Sequence, residues 1–202
     1  MPKRSVRGEM MRQAIADEAA RLIVEHGLSD FHAAKRKAAA RFGVTDKAVL
    51  PGNVEIEAAI ASHHRLFGAD DHPQTLQRLR EQAIEAMRWL AGFNPRLVGP
   101  VLSGHASDHS GITLHLFAES PEAVALRLLD LGIRYQSVQR RMRWGHGDPK
   151  ALPAFLFGVD EADFEAVVFP VDGIREAPAS PVDGRPMKRA AQAEVEGLLT
   201  SA

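Results

Sequence analysis

The stretch Leu97–Leu116, LVGPVLSGHASDHSGITLHL, constrains the fold of this chain more than any other feature. It begins with an apolar segment that Gly99 and Pro100 interrupt, continues through a small-residue turn and a polar loop, and ends in an alternating segment. Three apolar side chains share one face of that last segment: Ile112, Leu114 and Leu116. The stretch therefore predicts two strands joined by a polar loop, and Pro100 predicts an edge position or a bulge for the first strand.

The chain before Asn94 has helical periodicity. Apolar residues recur every three or four positions, and a glycine or a His-Pro pair stands where each periodic segment stops. Four helices are predicted: Met10–His26, Ser29 or Asp30 to Phe42, Asn53–Phe67, and Thr75–Leu90. The last helix has the clearest apolar stripe, and His72-Pro73 is predicted to separate it from the third helix.

The chain after Asn94 alternates between strand and helix patterns. The first predicted strand is Leu97–Leu102, and a helix follows the alternating segment at Glu122–Leu131. Four residues form the predicted buried side of this helix: Ala123, Val124, Leu126 and Leu129. Three further strands are predicted: Ile133–Val138, Ala154–Val159 and Phe164–Phe169. The last two are predicted to form a hairpin around Asp160–Asp163.

The C-terminal part begins with a proline-rich segment, Val171–Pro186, which is predicted to be a loop. A last helix is predicted from Pro186 to Leu199, with Asp183–Pro186 as its capping turn or, alternatively, as an anion site at its N-terminus. The predicted fold class is α+β, a helical region followed by a small mixed sheet. The predicted segments are a helical region over 1–92, a sheet core over 93–170, and a loop with a C-terminal helix over 171–202.

Composition narrows the possible chemistry. The chain has no cysteine, which excludes thiol catalysis and thiolate metal sites, so that any metal would be held by nitrogen and oxygen ligands. No apolar run approaches the roughly 20 residues that a membrane-spanning helix needs. The basic N-terminus is not followed by an apolar segment, so it is not typical of a secretory signal. We therefore expect a cytoplasmic protein with no membrane partner.

Basic residues are clustered although the net charge is only −1. One cluster lies on the second predicted helix: Lys35, Arg36, Lys37 and Arg41. The other lies around a predicted strand and precedes Trp144: Arg134, Arg140, Arg141 and Arg143. Because phosphate contacts need only clustered charge, either cluster could bind nucleic acid, and either could equally be a solvated face. The helix-glycine-helix-glycine pattern around the first cluster also resembles the DNA-reading head of TetR-type repressors, so a DNA-binding transcriptional regulator is an alternative.

The stretch Leu97–Leu116 resembles the opening of a nucleotidyltransferase core. Such proteins carry a Gly-Ser or Gly-Gly turn after the first core strand, then a loop, then an alternating strand with two carboxylates one residue apart. Here Ser103-Gly104 takes the place of the turn, while Gly111 and Thr113 stand where the carboxylates are expected. The resemblance covers residues 93–170, and it implies the fold of a nucleotidyltransferase without its pair of acids.

The resemblance also implies a mechanism, in which those acids and a third carboxylate hold two divalent cations. Glu165 stands where the third carboxylate could be, but one carboxylate cannot hold two cations. The resemblance therefore implies a catalytically degenerate protein that binds a nucleotide, RNA or a protein partner. An active magnesium-dependent transferase is a further alternative, and it would require Asp108 to replace the missing pair. Ligand contacts are expected from six residues: Ser103, Gly104, His109, His115, Arg140 and Arg141.

The whole chain is also similar to a group of short proteobacterial proteins labelled muramate-alanine ligase-like or nucleotidyltransferase-like. Ligases of that kind use a phosphate-binding loop, and the pattern Gly-x-x-x-x-Gly-Lys-Ser/Thr is absent here. A metal site built from His105, Asp108, His109 and His115 is sterically conceivable, although we predict none. The adjacent pair His63-His64 is predicted to lie at the surface, since neighbouring helical residues point about 100° apart.

Overall fold

The structure is a computed structural model, and it describes residues 6–28, 30–68, 71–145 and 147–200. In this part of the chain there are seven helices and one five-stranded mixed sheet, with most of the helices before the sheet. The predicted α+β class is therefore confirmed. Among the helices described, none combines the length and the apolar character needed to span a membrane.

The chain forms two compact units. The helical unit contains the chain up to Pro73, together with two short segments, His105–Ser110 and Pro181–Asp183. The sheet unit contains Gln74–Gly104, Gly111–Ser180 and the chain from Gly184 onward. The loop between the first two strands and part of the proline-rich segment thus belong to the helical unit.

The helical unit is built on three helices: α1 (Val6–His26), α2 (Phe31–Arg41) and α3 (Asn53–Phe67). Asp30 caps α2 by accepting hydrogen bonds from two backbone N–H groups, whereas the other predicted start, Ser29, lies outside the described residues. Gly27 has a φ of +66° directly after α1, which confirms its predicted role as a helix stop. Small side chains dominate the core, so the helices pack closely: Ala16, Ala19, Ala20, Ala34, Ala38, Ala39 and Ala59 accompany Ile15, Leu22, Ile56 and Ile60.

A fourth helix, α4 (His72–Trp89), leads into the sheet unit. The prediction that His72-Pro73 lies before this helix was wrong, because α4 begins at these two residues. Proline is tolerated in the first turn, where its missing N–H would have no helical partner. One side of α4 is buried, including Leu79, Ala83 and Met87.

The sheet contains five strands: β1 (Arg96–Val98), β2 (Ile112–Phe117), β3 (Tyr135–Met142), β4 (Lys150–Val159) and β5 (Ala162–Phe169). Their order is β1-β2-β5-β4-β3. β2 and β5 are parallel, and the other neighbouring pairs are antiparallel. β1 and β3 are therefore the two edges, and the edge position predicted for the first strand is confirmed.

The first strand is shorter than predicted. β1 ends at Val98, and a short helix, α5 (Gly99–Ser103), replaces the rest of the predicted strand. Gly99 has a φ of +74°, which ends the extended conformation, and Pro100 then occupies the first turn of α5. The apolar residue Val101 remains buried, because α5 packs it against the sheet unit's core.

The predicted hairpin is confirmed with a tighter turn. β4 and β5 are joined by Asp160 and Glu161, whose φ values of +47° and +65° are typical of a two-residue type I′ turn. β3 begins later and extends further than predicted, so that Arg140 and Arg141 lie within the strand. The extension matters for the site described below because it fixes the faces on which these arginines lie.

The helix after β2, α6 (Pro121–Asp130), buries a different side from the one predicted. Val124 and Leu128 are buried, whereas Leu126 is 62% exposed and Leu129 is 58% exposed. Apolar residues surround most of this helix, so periodicity alone could not identify the inner face. The last helix, α7 (Gln192–Thr200), also begins later than predicted.

The residues before α7 are extended rather than helical. Pro186 forms an isolated bridge with Ala179, and Ala190 forms one with Leu97 of β1. Asp183–Pro186 is therefore part of a turn that precedes a bridge, and the predicted cap or anion site at the start of the last helix was wrong. The proline-rich segment, predicted over Val171–Pro186, thus continues as extended chain, and from here on the name covers residues 171–190.

Candidate binding face of the sheet unit

One face of the sheet carries four of the residues that the nucleotidyltransferase resemblance singles out: Thr113, His115, Arg140 and Glu165. The parallel register of β2 and β5 pairs Thr113 with Glu165, and both side chains are half-buried. Glu165 is thus beside the position where the second strand carboxylate is missing. It has no acidic neighbour on β2, and its assignment as a third carboxylate stays a prediction.

The carboxylate of Glu165 is already paired with an arginine and is not free to bind a metal ion. Arg140 of β3 reaches across β4 and forms an ion pair with the Glu165 carboxylate through its Nε. The Glu165 side chain is 25% exposed, and the Arg140 side chain is 41% exposed. A carboxylate that already has a guanidinium as its partner is poorly suited to hold a divalent cation.

Gly111 stands close to the neighbouring backbone. A Cβ atom added there would lie 3.2 Å from the carbonyl oxygen of Asp163. That distance is tighter than ordinary van der Waals contact, so a side chain at this position would require β5 to shift. The missing first carboxylate is therefore accompanied by a close approach of the two strands.

Ser103 and Gly104 form the end of α5 rather than a ligand-binding turn after a strand. Gly104 has a φ of +84° and donates its N–H to the carbonyl of Pro100, at 3.0 Å. Ser103 donates its hydroxyl to the same carbonyl at 3.4 Å. Both residues thus have a structural role in ending α5, and their predicted role in ligand binding stays a prediction.

Asp108 and His109 belong to the helical unit, where both are exposed. A Cβ atom added at Gly27 would lie 3.0 Å from the Cβ of His109, so the loop packs closely against the end of α1. In the part of the chain that the structure describes, no group of three or more His, Asp or Glu side chains is arranged to hold a metal ion.

His64 is buried, and the prediction that it lies at the surface was wrong. Its Nε2 lies 3.3 Å from the carbonyl oxygen of His105, and its ring stacks on that of His72 with centroids 3.9 Å apart. Burial, reinforced by His72, lowers the pKa of His64 to about 4. The loop that returns to the helical unit covers this ring, which helical geometry alone could not have indicated.

The cations of α2 are largely used inside the helical unit. Lys35 donates its ammonium to the side-chain oxygen of Asn53 at 3.0 Å, and burial lowers its pKa. Arg41 forms an ion pair with Glu18 of α1. Arg36, Lys37 and Arg41 are exposed, and Arg41 is the exposed member that Glu18 engages. Only part of the predicted basic face of α2 is thus presented to solvent.

The cations of β3 are more exposed. Arg134, Arg141 and Arg143 are exposed at or beside the edge strand, and Lys150, also exposed, is opposite Met142 in the register. The Lys150 ammonium lies 5.6 Å from the centre of the Trp144 ring. β3 pairs only with β4 among the strands described, so one edge of its backbone is open.

His115 and Arg189 form a pair on the same face of the sheet, in which the histidine is buried and the arginine is half-buried. His115 has no exposed surface, and its Nδ1 accepts a hydrogen bond from the Nε of Arg189 at 3.0 Å. The guanidinium also lies over two rings, 5.0 Å from the centre of Phe117 and 4.7 Å from that of Phe169. Burial, with a smaller contribution from Arg189, lowers the pKa of His115 to about 3.

Arg189 is the main residue of this face that sequence reasoning missed. It lies in the proline-rich segment, 74 positions after His115 in the sequence, and no motif connects the two. The alternation of β2 did indicate that His115 faces away from Ile112 and Leu114. It did not indicate that an arginine would cover the imidazole.

The helical unit has a groove of about 460 Å³ between α1 and α3. Its lining combines apolar and charged residues: Ala14, Asp17, Glu18, Arg21, Glu25, Phe42, His63 and Phe67. Arg21 pairs with Glu18 and with Glu25, each at 3.0 Å. Arg21 is therefore shared by two carboxylates of the groove, whose lining contains more acidic than basic residues.

Comparisons with known proteins give no match: no protein-family model, no curated protein and no solved structure is similar to this chain. The nucleotidyltransferase resemblance therefore rests on the residues of the stretch Leu97–Leu116 and on Glu165.

Proposed function

We propose that this protein is a non-catalytic, nucleotidyltransferase-like protein that binds single-stranded RNA along the β3 edge of its sheet. The observation that carries the proposal is the set of exposed cations at that edge. Residues 134–159 contain five basic residues, Arg134, Arg140, Arg141, Arg143 and Lys150, and one acidic residue, Asp148. In a chain of net charge −1, this is a local surface suited to phosphates.

The geometry of an edge strand supports a flexible nucleic acid as the ligand. The eight residues of β3 extend over about 26 Å at about 3.3 Å per residue, which allows several phosphates of an extended strand to lie beside it. A single strand can follow the twist of a sheet edge, whereas a stiff duplex usually accepts a helix or ribbon in a groove. Trp144, half-buried at the end of the cluster, adds an aromatic surface.

The loss of catalysis is supported by three positions on the neighbouring strands. Gly111 and Thr113 have no carboxylate, and Glu165 already pairs with Arg140. Two-metal catalysis needs several oxygen ligands around two cations. An active magnesium-dependent transferase is the less favoured alternative for this reason.

A sequence-specific DNA-binding regulator is the other alternative, and it would use α2. Lys35 and Arg41 are engaged by Asn53 and Glu18, which leaves Arg36 and Lys37 as the exposed cations of α2 without a partner among the described residues. Two cations are a weak electrostatic basis for duplex binding. We therefore favour the β3 edge over α2 as the nucleic-acid-binding surface.

Fluorescence anisotropy with a labelled 12-nucleotide oligouridylate tests the proposal. The variant Arg141→Gln/Arg143→Gln should weaken binding at low salt by at least about tenfold, because counterion release depends on the number of phosphates that the protein contacts. The variant Arg36→Gln/Lys37→Gln removes the same charge from α2 and is the matched control. It should bind oligouridylate as the natural chain does.

Three results would overturn the proposal. One is equal loss of affinity in the two double variants, which would indicate general charge attraction. A second is tight, sequence-dependent binding of duplex DNA that depends on Arg36 and Lys37. Binding of an acidic peptide to the β3 edge in preference to RNA would also contradict it, since that result would identify the edge as a strand-pairing surface.

A further inference from the structure

We propose a second binding site in the sheet unit, an oxyanion site for a phosphoryl group formed by His115, Arg189 and Arg96. The site is independent of the β3 edge, because none of its three residues belongs to β3 or β4. Its basis is a set of buried hydrogen-bond donors that have no acceptor.

The hydrogen bond between Arg189 and His115 fixes the proton on the imidazole. Nδ1 of His115 accepts from the guanidinium, so the neutral ring must carry its proton on Nε2. That Nε2 is buried and has no hydrogen-bond partner in the structure. His115 thus presents an N–H donor that has no exposed surface and no acceptor, an arrangement that is costly unless an acceptor is bound.

The guanidinium of Arg189 also has a buried donor without a hydrogen-bond acceptor. Its Nη1 donates to the carbonyl oxygens of Gly173 at 2.8 Å and Glu176 at 3.4 Å, and its Nε donates to His115. Its Nη2 is buried without a partner. In an arginine, Nη2 lies on the same edge as Nε, and that edge faces the imidazole of His115. One open donor of the guanidinium therefore lies on the histidine side.

The charges around this pair also favour an anion. Among the described residues, no carboxylate forms an ion pair with Arg189. Arg96 of β1 is directly opposite His115 in the register and acts on Arg189 as a second positive charge. The pKa of Arg189 is lowered by burial and then by Arg96. Arg96 donates Nη1 to the carbonyl oxygens of Asn94 at 3.4 Å and Pro95 at 3.0 Å, so it adds positive charge near Arg189 without supplying an anion.

An oxyanion matches these donors in number and charge. A phosphoryl group can accept from Nη2 of Arg189 and from Nε2 of His115 and can be attracted by Arg96, and arginine is the residue best suited to such contacts. Arg189 is half-buried and His115 is fully buried, and both open donor atoms, Nη2 and Nε2, are buried, so a bound phosphoryl group would be shielded from solvent. Water could accept the same hydrogen bonds, but it would leave the positive charge uncompensated.

Calorimetric titration of the full chain with inorganic phosphate and with adenosine monophosphate, at constant ionic strength, tests this site. We expect saturable binding, weakened at least about tenfold in Arg189→Gln and less strongly in Arg96→Gln. Arg175→Gln removes the same charge from an exposed position of the proline-rich segment and should leave binding unchanged. Equal affinity for the two ligands would identify free phosphate, and tighter binding of adenosine monophosphate would identify a nucleotide phosphate.

Nuclear magnetic resonance of ¹⁵N-labelled histidine provides a second readout if Arg189→Gln fails to fold. The His115 ring should show a protonated Nε2 and an unprotonated Nδ1, and phosphate should shift the Nε2–H signal in the natural chain. Absence of saturable binding for both ligands would overturn the proposal. So would an unchanged His115 signal at saturating phosphate, or equal loss of affinity in Arg175→Gln. Failure of oligouridylate binding would leave these outcomes unaffected, because that assay depends on Arg141 and Arg143.

Discussion

The helical unit and the sheet unit differ in how many of their arginines are paired with carboxylates, although the sheet unit also contains the pair of Arg140 with Glu165. In the helical unit, arginines pair with carboxylates between helices and within one helix: Arg12 pairs with Glu55 at 2.6 Å and Arg41 with Glu18, whereas Arg21 pairs with Glu18 and Glu25 of its own helix. In the sheet unit, several arginines are exposed along the β3 edge, and the half-buried Arg189 has no carboxylate partner among the described residues. The comparison teaches that the number of basic residues in a sequence segment says little about binding until their internal partners are known.

The two cores differ as well. The core of the helical unit is rich in alanine, so its helices approach closely, whereas the sheet unit buries large side chains. On the face that carries Arg189, the centre of the Phe169 ring lies near the centres of three other rings. The centre-to-centre distances are 4.5 Å to His115, 5.7 Å to Phe117 and 6.2 Å to Trp144. The rings of Phe117 and Phe169 lie against the guanidinium of Arg189, so we expect this aromatic cluster to hold the arginine in place.

Phe169→Ala should have the largest effect. Phe169 is 1% exposed, and its removal leaves a cavity beneath Arg189, so the free energy of unfolding should fall by about 3–5 kcal/mol. Chemical denaturation followed by circular dichroism measures this loss. Leu126→Ala is the matched control, since Leu126 is 62% exposed and its truncation should change stability little. A small effect of Phe169→Ala would mean that the aromatic cluster does not hold this face.

Acidification should destabilise both units through one buried histidine in each. His64 and His115 have pKa values lowered to about 4 and about 3, from an ordinary value of 6.5. The unfolded chain therefore binds protons more readily, and stability that is complete above pH 6.5 is lost as the pH falls towards those values. The slope should approach about 1.4 kcal/mol per pH unit for each histidine.

Denaturation at several pH values between 7 and 4 measures that slope. His64→Gln should reduce the contribution of the helical unit to the pH dependence of the free energy of unfolding. His32 is exposed, so His32→Gln should leave that pH dependence unchanged. A curve that does not change in His64→Gln would contradict the burial of this ring as the cause.

Glu55→Ala should weaken the helical unit to a smaller extent. Glu55 accepts two hydrogen bonds from Arg12 and one from the backbone N–H of Gly52, at the start of α3. Losing the pair and the cap together should cost about 1–2 kcal/mol in the free energy of unfolding. Glu9→Ala, at an exposed position of α1, provides the comparison in the same denaturation experiment. Equal values for the two variants would show that the pairs of the helical unit contribute nothing to it.

Glu165→Gln should have the smallest effect on stability and an opposite effect on binding. The ion pair with Arg140 is partly exposed, so its loss should cost at most about 1 kcal/mol. Removing the carboxylate should strengthen oligouridylate binding a few-fold in the anisotropy assay, because Arg140 becomes available to phosphate. Asp172→Asn removes an exposed acid from the proline-rich segment and is the control. Weaker binding by Glu165→Gln would contradict the proposed position of RNA.

The sequence predicted much of the architecture, because period and helix stops are local signals. The change from helical to alternating patterns near Asn94 indicated the α+β class, and Gly27 indicated the end of α1. The inner side of α6 was not predictable, since leucines and alanines surround it and only packing selects a side. The contact of Arg189 with His115 depends on long-range folding of the proline-rich segment, for which the sequence has no local signal.

The same reasoning applies to the candidate site. Glu165 could be selected from the strand pattern, and its pairing with Thr113 in the register agrees with that choice. Its ion pair with Arg140 could not be predicted, because the start of β3 was expected two residues earlier and its end four residues earlier. The longer strand brings Arg140 to the face of Glu165 and leaves Arg141 on the other.

Hydrogen exchange measured by mass spectrometry, with and without oligouridylate, tests the central comparison most directly. We expect slower exchange of backbone amides in Tyr135–Lys150 when RNA is bound, with no change in Phe31–Arg41. Slower exchange confined to Phe31–Arg41 would contradict it, and would identify the helical unit as the part of the molecule that binds nucleic acid.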